Sequence, residues 1–94
     1  MHAWLAAMAN LRTIIKEPRF EQEMAAIEPD VQRADEFLEG VETILSREPQ
    51  YGHRLGNSHV YFIPGWTVDL NIYYTFNDDE VFLLSICRMA ALEP

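Results

Sequence analysis

Up to Pro49 the apolar residues of the chain recur every three or four positions; beyond it they gather in short blocks rich in Val, Ile, Tyr and Phe. The first spacing is that of one face of an α-helix, and β-branched or aromatic blocks between turn residues mark strands. Helices therefore come first and strands after. Phe20, Met24 and Ile27 predict a helix over residues 18–28, opened by Pro18 and broken by Glu28-Pro29-Asp30. Asp30 is placed to cap a second helix over residues 31–47. In it Val31, Ala34, Phe37, Leu38, Val41, Ile44 and Leu45 form one stripe, and Asp35, Glu36, Glu39 and Glu42 take the other side. The two helices form a hairpin whose shared apolar face must cover something.

What it covers lies on either side of it. Thr13-Ile14-Ile15-Lys16 predicts a first strand over residues 11–16, ended by Pro18. A helix over residues 2–15 competes with it, because Leu5, Met8, Leu11 and Ile15 share one helical face. After a turn-rich loop over residues 49–58 come three more strands: His59 to Ile63, Val68 to Phe76 and Glu80 to Ile86. Pro64-Gly65 suits the middle of a type II turn, and Asn77-Asp78-Asp79 turns the chain a second time. Two tight turns make these three strands an antiparallel meander. The last is nearly continuously apolar, which predicts a central, covered position. Tyr73 and Tyr74, adjacent in one strand, must point to opposite faces. The fold class is α+β: an N-terminal strand and a helical hairpin packed on a mostly antiparallel sheet.

Ninety-four residues make a single domain over residues 1–94, with residues 1–10 read as an extension. The formal net charge of −8 narrows the function. Residues 1–50 hold ten acidic and five basic side chains, and residues 51–94 hold five and two, so neither half is basic. No Lys follows Lys16. Binding to a phosphate backbone draws its affinity from several Lys or Arg on one face, so tight, unaided nucleic-acid binding is not expected. Cys87 is the only cysteine, which rules out an internal disulfide and fits a reducing cytoplasm. The start, Met1-His2-Ala3-Trp4-Leu5-Ala6-Ala7, lacks the positive region of a signal peptide, and no apolar run is long enough to span a membrane.

Candidate chemistry is sparse. His53, His59 and Asp69 follow no helix-borne metal spacing, and Asp78, Asp79 and Glu80 are what a tight turn wants for backbone reasons. No metal or cofactor is expected. Trp66, beside the Pro-Gly turn, and Tyr73 are the candidates for an interface, where large aromatic side chains act as anchors.

The order of elements resembles the RelE/ParE superfamily of small toxins from bacterial toxin–antitoxin pairs. Arg33-Ala34-Asp35-Glu36-Phe37-Leu38 resembles the start of its second helix, and Ile44-Leu45 followed by Pro49 resembles that helix's end. Gly52, Arg54, Leu55 and Gly56 fall where the family has its Gly- and basic-rich connection into the sheet. Ile72-Tyr73-Tyr74 resembles its Arg-x-x-Tyr strand, and Asp78 to Ile86 its closing acidic turn and apolar strand. The likeness runs over about residues 11–88. It implies an antitoxin encoded next to the chain as partner. RelE-type members cut messenger RNA on the ribosome, and such a role would fall to Arg54, His59, Tyr74 and Arg88. ParE-type members poison DNA gyrase by protein contact, with no catalytic set. The departures favour the second type or a form degenerate in activity: Asn71 stands where the family has its Arg, and Cys87-Arg88-Met89 replaces a more basic end. A non-toxic homodimeric interaction module is the third reading.

Overall fold

The computed structural model describes residues 11–29, 31, 33–65 and 68–88. The segment before Pro18 is a strand, β1 (Thr13–Lys16), whose entry is fixed by the Arg12 N–H donating to the Ser46 carbonyl at 2.9 Å. The rival helix fails over its last residues, and its first nine lie outside the described residues. Pro18 then starts α1 (Pro18–Ile27), where a missing N–H costs nothing and a fixed φ is already helical.

The second helix, α2 (Ala34–Arg47), begins three residues later than the apolar stripe predicts. Arg33 sits before it in the left-handed region at φ 72°, the Val31 N–H donates to Ile27 and the Ala34 N–H to Val31. The chain thus reverses within one tight turn. Val31 still packs on the core from that turn, which is why the stripe reads as continuous. Asp30, the expected cap, lies outside the described residues. A short 3-10 turn, Pro49–Tyr51, follows, and then the remaining strands: β2 (His53–Arg54), β3 (Tyr61–Pro64), β4 (Leu70–Phe76) and β5 (Glu80–Arg88).

The five strands form one sheet in the order β1-β5-β4-β3-β2. From β2 to β5 every pairing is antiparallel, and β1 runs parallel to β5 with Thr13 opposite Glu80 and Lys16 opposite Leu83. The helical hairpin carries the chain across one face to the far edge, and the antiparallel steps bring β5 back beside β1. Over its first half β5 is flanked on both edges, by β1 and by β4, the central position that its apolar run predicts.

The Pro-Gly connection differs from expectation. Pro64 is the last residue of β3, the Gly65 N–H donates to Leu70 at 2.7 Å, and Gly65 does not take the positive φ of a type II turn. Its glycine is required by space: a Cβ there would lie 2.2 Å from the Val68 carbonyl oxygen.

Among the described residues, the buried apolar side chains meet in one cluster between the helices and the sheet. Phe20, Met24 and Ile27 of α1 and Phe37, Val41 and Leu45 of α2 cover Ile63, Leu70, Ile72, Tyr74, Val81, Leu83 and Ile86. No charged or polar residue is buried among those described. No described helix is long and apolar enough to cross a membrane.

Candidate functional site

The pleat that sends Ile63, Ile72 and Tyr74 under the helices sends their neighbours to the opposite face. There His53 pairs with Phe62, Phe62 with Tyr73, and Tyr73 with Ser85, in one row across four strands. The ring centroids of His53 and Phe62 are 5.3 Å apart and those of Phe62 and Tyr73 are 6.0 Å apart, both within the range of favourable aromatic contact. A second row joins Ile15, Phe82 and Thr75, and a third joins Pro64, Asn71 and Cys87. Both described helices lie on the other side. Phe62, Tyr73, Phe82 and Leu84 are only half-buried. The face is an aromatic and aliphatic band whose register positions carry no Lys or Arg. Within it the Asn71 Oδ1 is shielded from solvent and has no hydrogen-bond partner among the described residues.

Leu84 stands out from the pleat because the ladder slips there. Tyr73 faces Ser85 while Tyr74 faces Leu83, so one extra residue bulges from β5. At the same point β1 ends and α1 takes its place beside the strand. Glu23 of α1 fills the gap: its Oε1 accepts the Ser85 hydroxyl at 2.7 Å and the Ile86 N–H at 3.1 Å, and its Oε2 accepts Arg19 Nε at 3.2 Å. Burial works to raise the Glu23 pKa, but the hydrogen bonds from Ser85 and Ile86 and the nearby Arg19 outweigh it and hold the carboxyl below its ordinary value. Nothing in the one-dimensional pattern marks Glu23 as different from the other acids of α1; only the bulge opposite it does.

Tyr74 is wholly buried beneath the connection from α2 to the sheet. Its hydroxyl donates to the Pro49 carbonyl at 2.5 Å and accepts the Gly52 N–H at 2.9 Å. A Cβ at position 52 would lie 2.5 Å from that hydroxyl and 2.6 Å from the Phe62 carbonyl, so only glycine admits the approach. Burial pushes the phenol up to about 12, the Gly52 N–H pulling it the other way and Tyr61 adding to the rise. The hydroxyl thus has its proton committed to a backbone carbonyl.

The other three residues of the proposed ribonuclease set are placed separately. Arg54 lies one row position beyond Tyr61, itself opposite Tyr74, but its guanidinium donates to the Ser58 and Asn57 carbonyls at 2.8 and 3.3 Å and ties up the β2–β3 loop. His59 is exposed in that loop, and its carbonyl accepts the Thr75 hydroxyl at 2.7 Å. Arg88 ends β5 opposite Leu70, four residues along β4 from Tyr74, or about 13 Å at an ordinary strand rise. Arg12 lies at the far end of the sheet, bonded to the Asn77 carbonyl at 2.8 Å with its guanidinium over the Phe76 ring. It is roughly 25 Å along β5 from Arg88, so Arg12, Arg54 and Arg88 do not assemble one positive groove. At the acidic tip, Asn77 Oδ1 accepts the Asp79 and Glu80 N–H groups, the turn geometry expected there. No group of three His, Cys, Asp or Glu suited to a metal ion occurs among the described residues. Trp66 lies outside the described residues.

Comparison with known proteins agrees on the fold. No family model matches the chain, and no curated protein matches it by sequence. Among solved structures, the isolated E. coli RelE toxin superposes with a TM-score of 0.71 at 13% identity, over 87% of this chain and 88% of that one. The chromosomal ParDE toxin–antitoxin system from P. aeruginosa gives 0.68 at 13% identity, over 86% and 99%. The conserved hypothetical protein HP0894 from Helicobacter pylori gives 0.54 at 19% identity, over 83% and 94%. The chain has the RelE/ParE fold.

Proposed function

We propose that the chain is the toxin-like subunit of a bacterial toxin–antitoxin pair and that it works by binding protein rather than by cutting RNA. The fold supports the first part, since its structural neighbours include a RelE toxin and a ParDE toxin–antitoxin system. The second part rests on the open face of the sheet. Cleavage of an RNA chain needs cations that hold phosphate and stabilise developing charge, with an acid or base beside them. This face offers aromatic and aliphatic side chains and no cation at its register positions. The groups best placed for chemistry by sequence have other work: Tyr74 bonds Pro49 and Gly52, and Arg54 holds a loop. An aromatic band of this kind suits protein contact, where Tyr and Phe anchors carry much of the binding energy.

On this reading the partner is an antitoxin encoded beside the chain, the compartment is the cytoplasm, and the target is a protein such as DNA gyrase. Expression in a bacterial host with and without the adjacent gene tests it. The adjacent product is expected to co-purify with the chain and to relieve any growth defect, with transcripts intact. Transcripts cleaved on induction would transfer the assignment to the RelE-like ribonuclease, and a genome with no small adjacent gene would remove the toxin–antitoxin assignment. A two-fold homodimer is the competing use of the open face, because small single-sheet domains hide apolar surface by pairing. Sedimentation of the isolated chain at low concentration decides that, a monomer rejecting it.

A further inference from the structure

None of the large apolar side chains in the rows facing away from the helices is exposed. Ile15, Phe62, Tyr73 and Phe82 are each half-buried, whereas the exposed large apolar residues among those described, Leu11, Tyr51 and Leu55, all lie outside these rows. Asn71 Oδ1, with Pro64 and Cys87 on either side of it in the register, is shielded from solvent. Strand neighbours shield the flanks of a side chain; its tip is shielded by what lies above the sheet. Both described helices lie on the opposite face, so a layer on this one comes from elsewhere in the chain or from a partner.

The sequence before β1 has the composition for it. Residues 1–10 hold no charged side chain, and eight of the ten are apolar, Trp4 and Leu5 among them. They lead into β1 at Thr13, two residues before Ile15, which opens the row Ile15–Phe82–Thr75 on this face. From Thr13 to Tyr73 is two strand spacings across and about four residues along, or roughly 16 Å. The stretch from Trp4 to Thr13 spans about 13 Å as a helix and about 30 Å extended, so the tether lets the indole sit over the Phe62–Tyr73 row. Residues 89–94, by contrast, begin beyond Arg88, at the other end of β5 from Glu80, and include Glu93 and Pro94.

We propose that residues 1–10 dock on this face of the sheet in the free chain, with Trp4 against Phe62 and Tyr73. A tether this short holds the segment near the face at an effective concentration on the order of millimolar, so a weak intrinsic affinity is enough. The docking belongs to the chain itself and stands whether or not the toxin–antitoxin reading does. Under that reading it is a self-cover: a protein that uses Phe62 and Tyr73 must first displace residues 1–10, and until then the aromatic row is kept from water.

The test uses the full chain. Trp66→Phe leaves Trp4 as the single tryptophan. Its emission is expected to be blue-shifted from that of free tryptophan and its quenching by acrylamide reduced several-fold. Adding Phe62→Thr/Tyr73→Thr, which keeps β-branched residues in the strands, is expected to return both to the values of free tryptophan. A second measurement needs no change at Trp66: Trp4→Ser/Leu5→Ser is expected to bind the dye 1-anilinonaphthalene-8-sulfonate more strongly than the parent, and the gain is expected to vanish when Phe62→Thr/Tyr73→Thr is combined with it. Circular-dichroism melts establish that each variant is folded. Free-tryptophan emission in the Trp66→Phe chain, or equal dye binding by the parent and Trp4→Ser/Leu5→Ser, would overturn the proposal. Protection of Trp4 that survives Phe62→Thr/Tyr73→Thr in a folded chain would place the segment elsewhere and overturn it too. Protection lost on dilution, with a dimer in sedimentation, would assign the face to a second copy and overturn it as well.

Discussion

Tyr74 and Tyr73 are successive residues of one strand, and the sheet treats them differently. Tyr74 lies under the helices with no exposed surface, its ring beside those of Tyr61 and Phe76 and its hydroxyl locked between Pro49 and Gly52. Tyr73 lies on the other face, half-buried, with the Phe62 ring as its aromatic neighbour. The covered face binds helices to sheet and connection to strand. The other face has similar residue types, half-buried and in contact with one another across the strands. On the function proposed above, the aromatic side chains of the face away from the helices are the ones that would serve recognition.

Two leucines sharpen this comparison most strongly. Leu83 is fully buried and Leu84, the bulged residue, is only half-buried. Leu83→Ala is expected to cost about 3 kcal/mol of stability in urea unfolding and Leu84→Ala about 1 kcal/mol or less. Equal losses would break the distinction between the faces. Gly52→Ala comes next, because its Cβ would collide with the Tyr74 hydroxyl and a backbone oxygen. About 2 kcal/mol is expected, with the loss reduced when Tyr74→Phe is combined with it.

Tyr74→Phe alone removes both hydroxyl bonds and leaves the Pro49 carbonyl and the Gly52 N–H without partners, at a cost of about 1–2 kcal/mol at neutral pH. Its pH dependence identifies the cause. The phenol is raised from 10.0 to about 12 by burial, so the folded chain holds that proton more tightly than the unfolded one. The contribution is intact below pH 10 and falls as the pH rises toward 12. The gap between parent and Tyr74→Phe should therefore narrow by about 1 kcal/mol between pH 9 and pH 11. A constant gap would mean that the phenol titrates as it does in water.

The smallest effect concerns the edge where β1 ends. Glu23→Ala leaves the Ser85 hydroxyl and the Ile86 N–H without their acceptor and is expected to cost about 1 kcal/mol. Because the Glu23 pKa is lowered in the folded chain, its contribution is present above the ordinary carboxylate range and is lost on acidification through it. The parent and Glu23→Ala should thus converge in stability at low pH, which unfolding curves at acidic and neutral pH would measure.

Much of this fold was legible in the order of residues, for identifiable reasons. Ala34, Phe37, Leu38, Val41 and Leu45 of the helical stripe and Val81, Leu83 and Ile86 of the last strand are buried, and burial imposes periodicity on composition. The two faces of β4 followed from the pleat alone. What escaped was set by contacts between distant segments. The parallel pairing of β1 with β5 depends on where the helical hairpin delivers the chain. The short β2 has two residues and no block to announce it. Arg33 turns the chain in a conformation its side chain does not advertise. The same limit applies to the site: the types of Tyr74 and Arg54 invite a chemical role, while their partners, Pro49, Gly52, Asn57 and Ser58, become visible only in three dimensions. Glu23 is the converse, an ordinary helical acid made particular by a bulge 62 residues away.

The central claim is that the side of the sheet packed against the helices folds the chain and that the side carrying Phe62 and Tyr73 contributes far less to its stability. Thermal unfolding of Phe62→Thr/Tyr73→Thr tests it most directly, because both changes fall on the open side. A cooperative melt lowered by less than about 10 °C is the predicted result, given that each kcal/mol shifts a domain of this size by roughly 4–8 °C. Loss of cooperative unfolding in that variant would place Phe62 and Tyr73 in the folding core and contradict the account.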